Sequence, residues 1–200
     1  MKPFGVTAPL WRSKRGSKNA PGHAWKPPRV RKAFRAPWWK IRTALTLTMQ
    51  NRINLGKSSP ELYQAVFALE KLAVAAAAAA GIPKAFTHLL KLRASQINQC
   101  AFCVRMHTRD ALASGESSDR VAVLPAWRET DYFDEKERAA LEVTEAITLI
   151  STGQFPDAVY EEAAAKLSKE EMAAIEWISI VINTWNRIAI ASRYPVGPKG

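Results

Sequence analysis

Only two cysteines, Cys100 and Cys103, occur in the 200 residues. A C-x-x-C closes too small a loop to add much stability, so a disulfide-stapled fold is excluded. The expected compartment is a reducing cytosol, with the pair used as redox chemistry. Alternation of apolar and polar residues with period two is missing over any useful length, so no strand is expected. Without strands there is no βαβ setting for a thioredoxin-type C-x-x-C, and no glycine-rich loop is placed to cradle a nucleotide. An apolar stretch of about 7–15 residues near the N-terminus, as a secretory signal needs, is also missing. The alanine-rich run Ala73–Ala80 falls short of the about 20 residues that cross a bilayer, so no membrane partner is expected.

Acidic residues are absent from residues 1–48, which hold twelve of the 29 lysines and arginines. The remaining 17 basic residues face all 18 acidic ones, so the formal charge of +11 belongs to this segment and the rest is close to neutral. Nucleic acid is therefore not expected as a partner of residues 49–200. The same segment carries half of the prolines and four of the seven tryptophans. Such a composition builds no packed core, and a disordered basic arm is one reading. A transit peptide is disfavoured by the six prolines, which oppose an amphipathic helix. The third reading starts the protein at Met49 and leaves residues 1–48 upstream.

From Met49 the chain reads as one all-α domain of six to seven helices, at 49–200. Ser58-Ser59-Pro60-Glu61 has the pattern of a capping box before a helix over Glu61–Ala80, with Leu62, Ala65, Val66, Leu69 and Leu72 as its apolar stripe. Gly81 ends it. Further helices are expected from Pro83 to about Gln96, from Cys100 to about Ser114, and over Asp119–Leu124. Asp134 with Glu137 caps one over 135–151, Pro156 opens one to Leu167, and Ser168 with Glu171 caps a last one to about Ser192. The last helix is apolar on more than one face, which argues for association between copies.

The break at Asn98-Gln99 leads into Cys100-Ala-Phe-Cys103-Val-Arg-Met-His107. On a helix Cys100, Cys103 and His107 share one face. A helix N-terminus favours a thiolate placed there, and an imidazole nearby can move its proton. That is the geometry of a reversible dithiol. Several plain readings compete: buried inert cysteines; a zinc site, which would need His88 as fourth ligand and is disfavoured; and Ser95 and Asn98 merely satisfying helix ends. Trp127, Trp177 and Trp185 are expected in the core or at subunit contacts. No metal and no cofactor is expected.

The run from His88 to Ala111 around C-x-x-C-x-x-x-H, with Ala126-Trp-Arg-Glu-Thr130 and Asn183-Thr-Trp-Asn-Arg-Ile188, resembles the carboxymuconolactone decarboxylase superfamily. The alkyl hydroperoxidase D-like branch is the nearer likeness. It covers Met49 to Gly197 and favours a start at Met49. The resemblance implies a helical fold assembled as trimers or hexamers and a peroxiredoxin-type reduction of hydroperoxides. In that scheme Cys103 attacks the peroxide and becomes a sulfenic acid, and Cys100 resolves it to a disulfide. His107 relays the proton with a glutamate twelve residues before the first cysteine. A dithiol donor, in the family a lipoyl-bearing protein, restores the pair.

At that glutamate position this chain has His88. An imidazole still passes protons near neutral pH, and a charged His88 would favour a thiolate. On this basis His88→Glu is expected to preserve or raise turnover. Glu142 and Glu145 are candidates to supply the missing carboxylate from another helix. The rival functions are a decarboxylase or lactone-processing enzyme, from which the cysteine pair detracts, and a non-catalytic helical assembly protein.

Overall fold

The computed structural model describes residues 52–198. The basic arm and the boundary at Met49 lie outside them. Nine α-helices follow in order: α1 (Leu55–Ser58), α2 (Pro60–Ala79), α3 (Lys84–Ile97), α4 (Ala101–Ala113), α5 (Ser118–Val123), α6 (Glu135–Thr148), α7 (Ile150–Gly153), α8 (Asp157–Ala164) and α9 (Lys169–Ala191). A 3₁₀ helix, Leu124–Glu129, joins α5 to the loop before α6. There is no strand among the described residues. The seven longer helices are those expected; α1 and α7 are single turns.

Local chemistry explains most of the boundaries. Asp134 with Glu137 and Ser168 with Glu171 form reciprocal capping boxes, each side chain accepting from the other's backbone amide. Gly81 (φ 79°) and Gly115 (φ 92°) take the left-handed conformation that stops α2 and α4. Three expectations are corrected. Ser59 caps α2 without a side-chain hydrogen bond, because Pro60 already removes one free amide and fixes the entry angle. The helix expected over 135–151 stops at Thr148, whose hydroxyl is drawn into α9 by Asn183 Nδ2 at 3.0 Å. The helix expected over Asp119–Leu124 stops at Val123, and Leu124–Glu129 follow directly as a 3₁₀ helix with Pro125 in its first turn.

Helices α3 and α9 form the centre. Leu89, Leu90 and Leu92 of α3 and Ile175, Ile178 and Ile182 of α9 are fully buried. α2 lies on α9 with Tyr63, Val66, Glu70, Ala73 and Ala77 turned inward, and Ala73 and Ala77 let the helices approach closely. The stripe read from the sequence is thus rotated by about one position, and Leu62 and Leu72 are exposed at 71% and 69%. α2, 20 residues long with an 18-residue stretch of mean hydropathy 1.4, is long and apolar enough to cross a membrane, although its alanine run alone is not. Its Tyr63 ring stacks edge-on against Trp185 of α9, centroids 5.0 Å apart, and its Glu70 pairs with Lys91 of α3.

A polar seam ties α3 to α9. Asn98, in the break after α3, donates from Nδ2 to Oδ1 of Asn183 at 2.9 Å and of Asn186 at 2.8 Å. Asn186 donates in turn to Ser95 Oγ at 3.0 Å. Ser95 and Asn98 therefore fasten the end of α3 to the last helix. Removing Asn98 strands the buried Asn186 Oδ1, while Asn183 Oδ1 keeps its bond from Arg187, so Asn98→Ala is expected to destabilise the fold by about 2 kcal/mol in urea unfolding. A change below about 0.5 kcal/mol would show that the seam holds nothing.

Candidate functional site

Gln99 adopts φ 56°, and this left-handed residue turns the chain so that Cys100 becomes the N-cap of α4. Its Sγ accepts from the Cys103 amide at 3.4 Å. The two cysteines are paired in the disulfide arrangement, with Cα atoms 5.4 Å apart. Each is 2% exposed. The pair sits at a helix N-terminus, as the spacing implied.

Cys103 opens on a cavity of about 280 Å³. His107, His88, Glu70, Lys91 and Asp110 share its wall. Aromatic rings close the remainder: Tyr63, Phe67, Phe102, Trp185 and Tyr194. All four residues singled out in the sequence therefore meet here, Cys100 through its bond to Cys103. Trp185, expected as core or contact, is part of the cavity wall. Trp127 is core, and Trp177 is exposed at 48%.

The closing rings have a local cause. α9 ends in a left-handed turn at Arg193 (φ 51°), with the Tyr194 amide bonded to the Ala189 carbonyl at 3.0 Å. This folds Tyr194 back against Phe102, edge to face at 5.2 Å. Gly56 of α1 makes room, since a Cβ there would lie 3.0 Å from the Tyr63 ring and 3.3 Å from the Tyr194 hydroxyl.

The histidines face one another, with ring centroids 5.8 Å apart. Nδ1 and Nε2 of His107 and Nδ1 of His88 are buried without a hydrogen-bond partner among the described residues. Burial pushes the His107 pKa down to about 3, helped by the Lys91 ammonium and by His88. His88 is lowered too, first by burial and then by Lys91. Both imidazoles are neutral near pH 7, so the positive charge expected from His88 comes instead from Lys91, which is 2% exposed.

The carboxylate also comes from elsewhere. Glu145 accepts from Trp127 Nε1 at 2.8 Å, Arg93 Nε at 2.6 Å and Arg128 at 2.6 Å. Burial alone would raise its pKa, but these bonds together lower it. Glu142 pairs with the same Arg128 and lines a separate cavity. Neither reaches the thiols. Glu70 and Asp110 line the cavity that Cys103 opens on, and Oε2 of Glu70 is buried with no partner among the described residues. Sequence reading missed Glu70 and Lys91, because a charge inside a helical pattern reads as a solvated face.

Ligand atoms of His88, His107 and Asp110 lie within 4.8 Å of one another, a donor set that suits a first-row metal. Lys91 opposes a cation there, by the same field that lowers both imidazoles. The zinc site weighed from sequence, with both thiols as ligands, does not match this grouping, since the thiols are bonded to each other.

The described residues form an all-helical domain with a C-x-x-C pair at a helix N-terminus, and likeness to a solved structure shows this to be an alkyl hydroperoxidase D-like fold. Residues 60–146 match the model of the carboxymuconolactone decarboxylase family. An uncharacterised Bacillus subtilis (strain 168) protein, YdfG, is 37% identical over 143 residues, covering 72% of this chain and 95% of that protein. A solved structure from Agrobacterium tumefaciens is 42% identical with a TM-score of 0.66, covering 73% of this chain and 99% of that one. That protein is of unknown function, with an identity as the antioxidant defence protein AhpD put forward for it. The chain belongs to the carboxymuconolactone decarboxylase family.

The neutral histidine has a measurable consequence. Below the ordinary pKa of 6.5 the unfolded chain takes up a proton that folded His107, at about 3, does not. Stability therefore falls as pH drops from 6.5 toward 3, by about 1.4 kcal/mol per unit. From pH 7 to pH 5 the loss is about 2 kcal/mol from this residue, and His88 adds to it in the same direction. Urea midpoints at the two pH values are expected to show this loss in wild type and a flatter profile in His107→Phe; equal slopes would contradict it.

Proposed function

We propose that the protein is a thiol-dependent peroxide reductase of the reducing cytosol. The observation that carries this reading is that Cys103, bonded to Cys100 at the start of α4, opens on a cavity holding two neutral imidazoles and a buried ammonium. The Cys103 thiolate attacks the distal oxygen of a hydroperoxide. The O–O bond breaks, the sulfur becomes a sulfenic acid, and the alkoxide takes up a proton. The Cys100 thiol then attacks the sulfenic sulfur, forms the S–S bond and releases water. A dithiol, free or on a lipoyl-bearing protein, returns two electrons.

His107, one turn after Cys103 on α4, is the proton acceptor for the thiol, with His88 behind it. A thiolate beside the ring would draw its proton affinity up from the value it has next to a neutral disulfide. Lys91 favours the thiolate by its charge. A decarboxylase reading gains support from the same ammonium, which would hold a carboxylate substrate, but leaves the cysteine pair without work.

A coupled peroxide assay tests this reading. Wild type is expected to consume hydroperoxide, with two thiols per chain lost and then recovered on adding a dithiol, while Cys103→Ser consumes none. Equal consumption by both would sink the thiol mechanism. Because Glu70 already faces the cavity, the expectation for His88→Glu reverses. A further carboxylate beside Glu70 and Asp110 is expected to lower turnover about tenfold, a loss of about 1.4 kcal/mol. Adding Glu70→Gln is expected to recover it. Unchanged rates in both variants would make position 88 a bystander.

The leucines that α2 leaves exposed, Leu62 and Leu72, support self-association as a trimer or hexamer, since copies of a chain cover apolar surface of this kind. Light scattering is expected to give at least three chains, and a monomeric mass would overturn this.

A further inference from the structure

The two sulfurs do not open on the same space. Cys103 lines the cavity with the histidines and Cys100 does not. Cys100 lines a second cavity of about 360 Å³, together with Arg52, Gln99 and Arg193, and Cys103 is not part of that one. Phe102, Ala189 and Tyr194 border both, so the stacked Phe102 and Tyr194 rings form the partition. The charges differ as well. The first cavity mixes acids, imidazoles and an ammonium, whereas the second has two arginines and no acidic side chain.

We infer that the second cavity is a binding site for the reductant, an anionic dithiol that attacks Cys100 there while peroxide reaches Cys103 from the first. This rests on the dithiol cycle proposed above. Thiol–disulfide exchange is an in-line displacement, so the attacking thiolate must approach Cys100 from the side away from Cys103. A space that touches Cys100 and not Cys103 provides that approach. One reductant thiolate forms a bond to Cys100 Sγ, the Cys100–Cys103 bond breaks, and Cys103 leaves as a thiolate. The second reductant thiol then attacks the mixed disulfide through its own sulfur. It closes the reductant's disulfide, releases Cys100, and passes its proton to the Cys100 sulfur. Two electrons have moved from the dithiol to the protein, and Cys103 is left as the anion that peroxide requires. Arg52 and Arg193 select negative charge on the incoming molecule.

The test uses the full chain with its disulfide formed by diamide, so that it does not depend on any reaction with peroxide. Exchange rates are measured with a dithiol carboxylate, a neutral dithiol and a dithiol amine, at equal thiolate concentration. Wild type is expected to react about five times faster with the carboxylate than with the amine, a preference that added salt compresses. Arg193→Glu, alone or with Arg52→Glu, is expected to reverse the order, and its faster reaction with the amine also shows that the variant is folded. A monothiol sulfonate, quenched in acid and mapped by peptide mass, is expected on Cys100. An adduct on Cys103, or equal rates for anion and cation in wild type, would overturn the inference. If exchange behaves as expected but peroxide is not consumed, the peroxidase reading fails and the reductant site stands.

Discussion

The hold of α9 on the break between α3 and α4 is the constraint on which the site depends. Asn98 gives both of its amide hydrogens to Asn183 and Asn186, and Asn186 is itself fully buried. With Asn98 fixed, only Gln99 is left to reverse the chain, and it does so in a left-handed conformation. Non-glycine residues adopt that conformation at a cost of about 1 kcal/mol. The seam offsets this cost, and the result is that Cys100 lands on the cap of α4 with its sulfur toward the Cys103 amide. A thiol pair whose turn could relax would lose both its pairing and its place at the helix N-terminus. The same helix then ends at Arg193 and sends Tyr194 back over the sulfurs. One element therefore both positions the redox pair and divides the space around it.

Much of this was readable in the chain. The capping boxes at Asp134 and Ser168, the glycine stops at Gly81 and Gly115, and the place of the cysteine pair at a helix N-terminus follow from local rules that tertiary packing did not overrule. The outward turn of Leu62 and Leu72 was not readable, because periodicity marks an apolar side without saying whether the protein's own core or another surface covers it. Tyr63 and Glu70 outcompeted leucine for the inside of α2 by offering specific partners, Trp185 and Lys91. Glu145 misled in the opposite sense. It reads as an available acid, yet three donors hold it in a purely structural junction between α3, α6 and the 3₁₀ turn.

His88 is best understood together with Glu70. Lys91 is a single buried ammonium, and a single carboxylate balances it. With Glu70 and Asp110 already on the cavity wall, a further acid at position 88 would add like charge to a small space, and one of the carboxyls would be driven to hold its proton. A neutral imidazole avoids that conflict and can still pass a proton. Against the glutamate that the resemblance implies at this position, the negative charge here stands on α2, at Glu70, instead of on α3. That placement has a mechanical consequence. The carboxylate that pairs with Lys91 at the cavity belongs to α2, the helix that also carries the exposed Leu62 and Leu72, so a shift of that helix moves the carboxylate with it. In this arrangement the electrostatics of the thiol cavity and the packing of α2 cannot vary independently.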